Sequence, residues 1–210
     1  MKKLIINYNL EILTAVLALV LGVSLFFWNS LTLAGKALLG FMILYALHEW
    51  EESRFPGGFY DLFFGGFGLQ ITASEASMHL PVAVYILVML LIPFALQQVT
   101  FLVLIPLGLG LFEGVIHVAG IKIHKLQKPY TPGMITAIVM FAYSAFIIAQ
   151  IRQAGGLPSW QWIIGFVLAF AGFAVMEHFF LRTVGLTFGD FRAMAMARVL
   201  KNRKKSDLQR

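Results

Sequence analysis

Long apolar runs recur along the whole chain, and they constrain its fold more than any single motif does. Of the 210 residues, 60% are hydrophobic and only 12% are charged, and the mean hydropathy is +0.83. A soluble globular domain carries about 25% charged residues, so a soluble fold is excluded. The sequence therefore predicts an all-α fold, a polytopic membrane helix bundle.

Six of these runs are long enough to cross a bilayer, which takes a helix of about 20 residues. The first run closes with Phe26-Phe27-Trp28, an interfacial aromatic cluster that is typical of a retained span rather than a cleaved signal. After the second run, Pro56-Gly57-Gly58 breaks the helix, and a Gly- and Phe-rich re-entrant or interfacial segment is predicted up to about residue 74. The predicted spans are about 10–28, 33–54, 78–95, 99–119, 134–151 and 160–181.

The basic residues are distributed unevenly about these spans. All 16 Lys and Arg residues except Lys36 and Arg152 fall on the side of the two termini. The positive-inside rule therefore predicts cytoplasmic termini, and it explains the net charge of +6 without nucleic-acid binding. The predicted domains are a transmembrane domain, 1–189, and a basic cytoplasmic tail, 190–210, which would attract anionic lipid at about 1 kcal/mol per basic residue.

A histidine and three glutamates end the second apolar run, in the sequence His48-Glu49-Trp50-Glu51-Glu52. Each ionisable group in hydrocarbon costs about 2.5–3.5 kcal/mol on insertion scales, and such groups by default mark functional sites. On a helix, His48, Glu51 and Glu52 share one face, whereas Glu49 points about 100° away. The spacing predicts metal ligands or acid–base residues, with Glu49 dispensable. The simpler explanation is a charged helix end paired with Arg54.

The other histidines also lie near glutamates or in a connector at the same end of the predicted bundle. They form the groups Glu75/His79, Glu113/His117 and Glu177-His178, with His124 in the connector. Glu113 and His117 share a helix face at i, i+4, and their simpler explanation is a pair that packs two helices together. Glu177 and His178 are consecutive, so at most one easily faces a shared site. For the rest, the simpler explanation is polar side chains at the membrane interface.

Three motifs in order resemble the bacterial membrane family called HXXEE. They are His48-x-x-Glu51-Glu52 with the following Phe55-Pro56-Gly57-Gly58-Phe59, the spacing Glu113-x-x-x-His117, and Tyr130-Thr131-Pro132-Gly133. The likeness covers roughly residues 40–150. It implies a multi-pass protein of the bacterial inner membrane whose histidines and glutamates are catalytic or bind metal. The family usually has Asn where this chain has Glu113, and Ser where it has Thr131, and the extra carboxylate could supply a further ligand.

A bound divalent metal explains the cluster best, because carboxylates and histidines at one depth would otherwise repel one another or take up protons. The chain has no cysteine, so nitrogen and oxygen must hold the ion. Zinc is favoured, with iron second. The predicted metal ligands are His48, Glu51, Glu52, Glu113 and His117, the predicted catalytic residues are Glu51, Glu52 and Glu113, and the further candidates are Glu75, His79, His124, Glu177 and His178.

The favoured function is a metal-dependent hydrolase that acts on a lipid or lipid-linked substrate entering from the inner leaflet. The first alternative is a carboxylate-bridged di-iron oxygenase, a hydroxylase or desaturase of an apolar chain. The second is a transporter of metal ions or protons without chemistry, although its sites would be expected near mid-membrane rather than at one end. Membrane lipids are the expected partners, and a homo-oligomer is left open.

Overall fold

The computed structural model describes residues 2–67, 69, 72–194 and 196–197. All regular secondary structure within these residues is helical, which confirms the predicted fold class. The helices are α1 (Lys2–Asn7), α2 (Asn9–Phe26), α3 (Leu33–Ser53), α4 (Phe59–Phe67), α5 (Glu75–Ala95), α6 (Leu104–Ile123), α7 (Met134–Gln153) and α8 (Ser159–Thr183), with 3₁₀ turns at Trp28–Ser30 and Thr100–Val103.

Five stretches of the described chain are long and apolar enough to cross a membrane, namely α2, α5, the segment Thr100–Ile123, α7 and α8. The sixth predicted span is α3, which has 21 residues like α5 but carries Lys36 and three glutamates. Because of those charges, α3 is not apolar enough to be counted among these five stretches. The segment predicted to be re-entrant or interfacial contains α4, a nine-residue helix that is too short to span a bilayer.

The end of the bundle opposite the His48 motif is fixed by side-chain caps. Thr32 Oγ1 accepts a hydrogen bond from Gly35 N at 3.0 Å and so satisfies a free amide at the start of α3. The amide of Thr32 donates to Gln97 Oε1 at 2.9 Å, which ties the start of α3 to the end of α5. The helix that carries the motif is therefore held at its far end.

The core surrounds α3, which contacts α2, α5 and α7. Leu38 and Phe41 of α3 are fully buried in this core. On the other side of the bundle α6 and α7 approach closely at Gly114, where an added Cβ would lie 2.5 Å from Phe141 Cβ. Glycine is needed there because any side chain would separate the two helices. The close approach brings the end of α6 against the start of α7.

A second, mainly aromatic cluster joins α4 to the starts and ends of its neighbours. Tyr60 and Phe64 of α4 pack with Met78 of α5 and with Phe180 of α8. This cluster holds α4 beside the end of the bundle that carries His48. Most of the predicted basic tail, including 198–210, lies outside the described residues, so the division at residue 190 stays a prediction.

Candidate metal centre

The first two members of the site come from the last turns of α3. His48 and Glu52 are spaced i, i+4, which places them on one helix face. Both are buried, and His48 Nε2 lies 3.5 Å from Glu52 Oε1. Both residues are helical, since α3 ends at Ser53, just before the Pro56-Gly57-Gly58 breaker.

The other two members come from α6, again at spacing i, i+4. Glu52 Oε1 lies 3.1 Å from His117 Nε2, and Glu113 Oε2 lies 3.5 Å from the same nitrogen. Glu113 Oε2 is also 3.9 Å from His48 Nε2. We call these four residues, His48, Glu52, Glu113 and His117, the histidine–glutamate cluster. Of them, His48, Glu52 and His117 each offer one ligand atom within 4.8 Å of the others, which is close enough to hold a metal ion.

The hydrogen bonds of His48 determine which of its nitrogens carries the proton. Nδ1 lies 3.2 Å from the carbonyl oxygen of Gly133 and 3.0 Å from Thr136 Oγ1. A carbonyl oxygen can only accept, and the Thr136 hydroxyl donates its proton to Glu51 Oε2 at 2.6 Å. Nδ1 is therefore the donor, and the lone pair of neutral His48 is on Nε2, which faces the cluster.

His117 has the same tautomer for the same kind of reason. Its Nδ1 lies 3.0 Å from Thr131 Oγ1, and the Thr131 hydroxyl donates to the backbone carbonyl of His117 at 3.2 Å. A hydroxyl that gives its one proton to this carbonyl accepts from Nδ1–H with its oxygen, and we assign His117 that tautomer. The lone pair of neutral His117 is thus on Nε2 as well.

The cluster consequently consists of two nitrogen lone pairs and two carboxylate oxygens that face one another. None of these four atoms is a donor when the histidines are neutral and the glutamates ionised, so a cation or added protons must balance them. Around tetrahedral zinc, ligand atoms at about 2.0–2.1 Å from the ion lie about 3.3 Å from one another. Glu52 Oε1 lies 3.1 Å from His117 Nε2 and 3.5 Å from His48 Nε2, on either side of that value. These nitrogen and oxygen ligand atoms fit a divalent metal.

Gly133 forms one wall of the cluster. Its φ of 87° lies in the left-handed region, and a Cβ at this position would meet Glu52 Cγ at 2.6 Å and the Cε1 atoms of His117 and His48 at 2.8 and 2.9 Å. Both the conformation and the space therefore require glycine. The absence of a side chain lets three members of the cluster converge.

Glu51 lies outside the cluster, although it was predicted as a ligand and a catalytic residue. Its Oε1 accepts from Tyr130 Oη at 2.9 Å and from the Ile135 amide at 3.1 Å. Its Oε2 accepts from the amide and the hydroxyl of Thr136 at 2.8 and 2.6 Å. Burial raises the pKa of Tyr130 to about 12, with the Glu51 hydrogen bond adding to the shift, so the phenol remains a donor at neutral pH. Glu51 thus anchors the start of α7, where amides favour an anion.

Glu49 points away from the cluster, as its spacing predicted, but it is buried and has a partner of its own. Its Oε2 lies 2.7 Å from His79 Nε2 on α5. His79 Nδ1 is hydrogen-bonded to Asn9 Oδ1, and the Asn9 amide nitrogen donates to the carbonyls of Ile6 and Ala76 at 2.6 and 2.7 Å. His79 is therefore buried against Glu49, whereas Glu75, which was grouped with it as a further candidate, is exposed.

A cavity of about 460 Å³ opens beside the cluster between α6 and α8, covered by α4. That volume is within the range of about 300–1,000 Å³ for small-molecule sites. Glu177 and His124, which were further candidates, both line it, whereas His178 is exposed and stacks on Phe188. Phe59 of α4 lies against the His117 ring at a centroid distance of 5.9 Å.

Several residues around the cluster were not predicted to have roles. Thr131 and Gly133 belong to the third family motif, which marked their importance but not their function. Thr136 follows in the first turn of α7 and gave no signal in the sequence. Asn9, which orients His79, could have been suspected because it is an amide at the start of an otherwise apolar span.

Comparison with known proteins agrees with the motifs. The family model described as a protein of unknown function with HXXEE motif matches residues 39–148, just over half of the chain. The matched region includes all four members of the cluster and the hydroxyl and glycine residues that support it. No curated protein and no solved structure matches the chain. The chain belongs to the HXXEE family.

Proposed function

We propose that this protein is an integral-membrane, metal-dependent hydrolase that acts on a lipid or lipid-linked substrate. The proposal rests on one observation: the Nε2 atoms of His48 and His117 both face the carboxylates of Glu52 and Glu113, while their Nδ1 atoms face the Gly133 carbonyl and the hydroxyls of Thr136 and Thr131. A divalent cation balances such a site without placing protons on it.

The two histidines and Glu52 are the proposed ligands. Two histidines and a glutamate are a common donor set of catalytic zinc, and a metal in that set acidifies a water molecule and polarises a substrate oxygen. Gly133 and Thr136 hold the His48 imidazole by its Nδ1–H, and Thr131 holds the His117 imidazole in the same way. Hydrogen bonds of this kind orient metal-binding histidines in general.

Glu113 is the proposed general base. Its side chain is 20% exposed, against 11% for Glu52 and 3% or less for the two histidines, and it lines the cavity. It also has the longer contacts to both histidine nitrogens, at 3.5 and 3.9 Å. A carboxylate that borders both the ligands and the cavity can take a proton from water and pass it to a leaving group.

The surroundings of Glu51 bear on the di-iron alternative. A dinuclear iron site of the helix-bundle type uses roughly four glutamates. Here both oxygens of Glu51 already accept hydrogen bonds at the start of α7, which leaves Glu52 and Glu113 at the cluster. This favours a single ion, with zinc first and iron second.

Elemental analysis of detergent-purified protein tests the proposal. We expect a single zinc ion per chain in the wild type, loss of zinc in Glu52→Gln, and retained zinc with loss of lipid hydrolysis in Glu113→Gln. Hydrolysis is measured by product release from phospholipid vesicles. Folded wild-type protein that takes up no divalent metal at neutral pH would show that protons balance the cluster instead.

The proposed location is the bacterial inner membrane, with both termini in the cytoplasm and the cluster near that face. The distribution of Lys and Arg supports it, since all but Lys36 and Arg152 fall on the side of the termini. A reporter fused after Arg210 should be active only in the cytoplasm. Activity outside the cytoplasm would reverse both the topology and the side from which substrate reaches the cluster. Anionic lipid is the proposed partner of the basic tail.

A further inference from the structure

The cavity beside the histidine–glutamate cluster is closed at its deep end by aromatic rings. Phe112 of α6 contacts Phe173 and Phe170 of α8, with ring centroids 5.3 and 6.0 Å apart. From there the lining continues along α6 to Ile123 and along α8 to Phe180, and α4 covers the cavity with Phe59 and Phe63. Its walls are mainly apolar, so they suit a hydrocarbon chain.

Parallel packing of α6 and α8 determines which residues face one another across this cavity. A Cβ added at Gly165 would meet Leu104, a Cβ added at Gly108 would meet Ala169, and the ring of Phe112 contacts that of Phe173. Each contact joins a residue of α6 to the residue 61 positions later in the chain. The same offset places Glu177 level with Ile116, which directly precedes His117 of the cluster.

Glu177 belongs to the α8 face that forms the cavity wall. Phe173, Met176, Glu177 and Phe180 have the i, i+3, i+4, i+7 spacing of one helix face, and all four line the cavity. Glu177 is the only ionisable residue of this set. Among the residues that the structure describes, no hydrogen bond or ion pair is present for its carboxyl group, in contrast to Glu49, Glu51, Glu52 and Glu113.

A carboxyl group in an apolar wall is costly unless a partner satisfies it, and a ligand in the cavity is in a position to do so. We infer that the cavity binds an amphiphile with one apolar chain, and that Glu177 accepts a hydrogen bond from a hydroxyl or amine group of that ligand beside the cluster. The inference rests on the proposed function and defines its substrate class. Glu177 is then a specificity-determining residue that contacts substrate from the wall opposite α6.

Two photoreactive probes test this inference. They share one long alkyl chain with a diazirine and differ only in the head, which is an alcohol in one and a carboxylate in the other. In lipid nanodiscs we expect the alcohol probe to label peptides of α4 and α8 in preference to the carboxylate probe. Glu177→Leu should reduce that preference about tenfold, as expected for loss of one hydrogen bond to a charged group. Glu177→Gln, which keeps an accepting oxygen, should retain part of it.

Glu75→Gln is the matched control, because Glu75 is an exposed glutamate that does not line this cavity, and it should leave the preference unchanged. Elemental analysis of the same preparations separates this inference from the proposed function. Retained zinc with altered head-group preference in Glu177→Leu supports the inference. Equal labelling by the two probes in the wild type, an unchanged preference in Glu177→Leu, or loss of zinc in Glu177→Gln would each overturn it. Absence of zinc from the wild type would instead count against the proposed function.

Discussion

Two buried groups of histidine and glutamate lie on different sides of α3, and they differ in how their polar atoms are matched. On one side, His79 Nε2 is hydrogen-bonded to Glu49 Oε2 at 2.7 Å, and its other nitrogen is bonded to Asn9. On the other, both histidines of the cluster present lone pairs to Glu52 and Glu113. The first group is complete by itself, whereas the second lacks a positive partner.

The difference arises from the residues around each histidine rather than from the histidines and glutamates themselves. Asn9 offers His79 an acceptor at Nδ1, and Glu49 occupies Nε2 directly. Thr131 and Thr136 likewise accept from the Nδ1 atoms of the cluster histidines, but there the Nε2 atoms of two histidines face the same two carboxylates. A count of ligand-type residues therefore does not identify a metal site. The two groups are distinguished by what each histidine nitrogen faces.

Removing one histidine from each group gives the largest expected contrast. His117→Ala should lower zinc affinity by at least about 100-fold, because it deletes a proposed ligand. His79→Ala should retain full zinc content while unfolding at a lower temperature, since Glu49 would lose its buried partner. Zinc titration and thermal unfolding in detergent measure the two effects. Zinc loss of similar size in both variants would erase the distinction between the groups.

A methyl group at Gly133 should affect the cluster and not the group of Glu49 and His79. The loss of zinc affinity should be nearly as large as in His117→Ala. Gly133→Ala would place Cβ within 3 Å of Glu52, His117 and His48, so we expect about a 100-fold loss of zinc affinity. Gly58→Ala is the control, because Gly58 has a similar φ of 89° with no atom within 4 Å of the added Cβ. The control carries the same backbone strain without the clash. Equal effects would mean that strain alone is responsible.

The threonine hydroxyls should have a smaller influence on the cluster. Thr131→Val removes the acceptor of His117 Nδ1–H, and we expect zinc affinity to fall about tenfold. Thr14→Val removes a comparable hydroxyl between α2 and α3, where it accepts from Trp50 Nε1 at 2.8 Å, and it should leave zinc binding intact. Isothermal titration of both proteins decides the matter. An undiminished affinity in Thr131→Val would mean that packing alone orients His117.

Glu49→Gln should have the smallest effect on metal. Zinc content should equal that of the wild type, because Glu49 faces His79 and not the cluster. Stability should fall by about 1–3 kcal/mol, the usual cost of weakening a buried hydrogen bond. Glu75→Gln, at an exposed position of α5, should change neither quantity. Loss of zinc in Glu49→Gln would show that the two groups form one site.

The sequence was sufficient for the helices and for the residue types of the cluster. Apolar runs bounded by breakers predicted each long helix to within a few residues, because burial in lipid leaves little choice of structure. The repeated i, i+4 spacing of His48 with Glu52 and of Glu113 with His117 indicated faces that could meet. Because their carboxylates need a shared cation, α3 and α6 were expected to meet at these faces.

The sequence could not predict that Glu51 and Glu52 have different partners. The two side chains differ by about 100° around the helix, and the rotation of α3 against its neighbours decides which one meets His117. That rotation depends on amides at the start of α7, more than eighty residues later in the chain. The partnership of Glu49 with His79 and Asn9 depends on similarly distant packing, which spacing alone does not encode.

The two walls of the cavity differ in whether the family match includes them. The family match covers residues 39–148, which include the wall formed by α6, and it ends before α8 begins at Ser159. The wall with Phe173, Glu177 and Phe180 therefore lies outside the part of the chain that defines the family. Under the proposed function, exchanging side chains along this single helical stripe would change what the cavity accepts and leave the histidine–glutamate cluster intact.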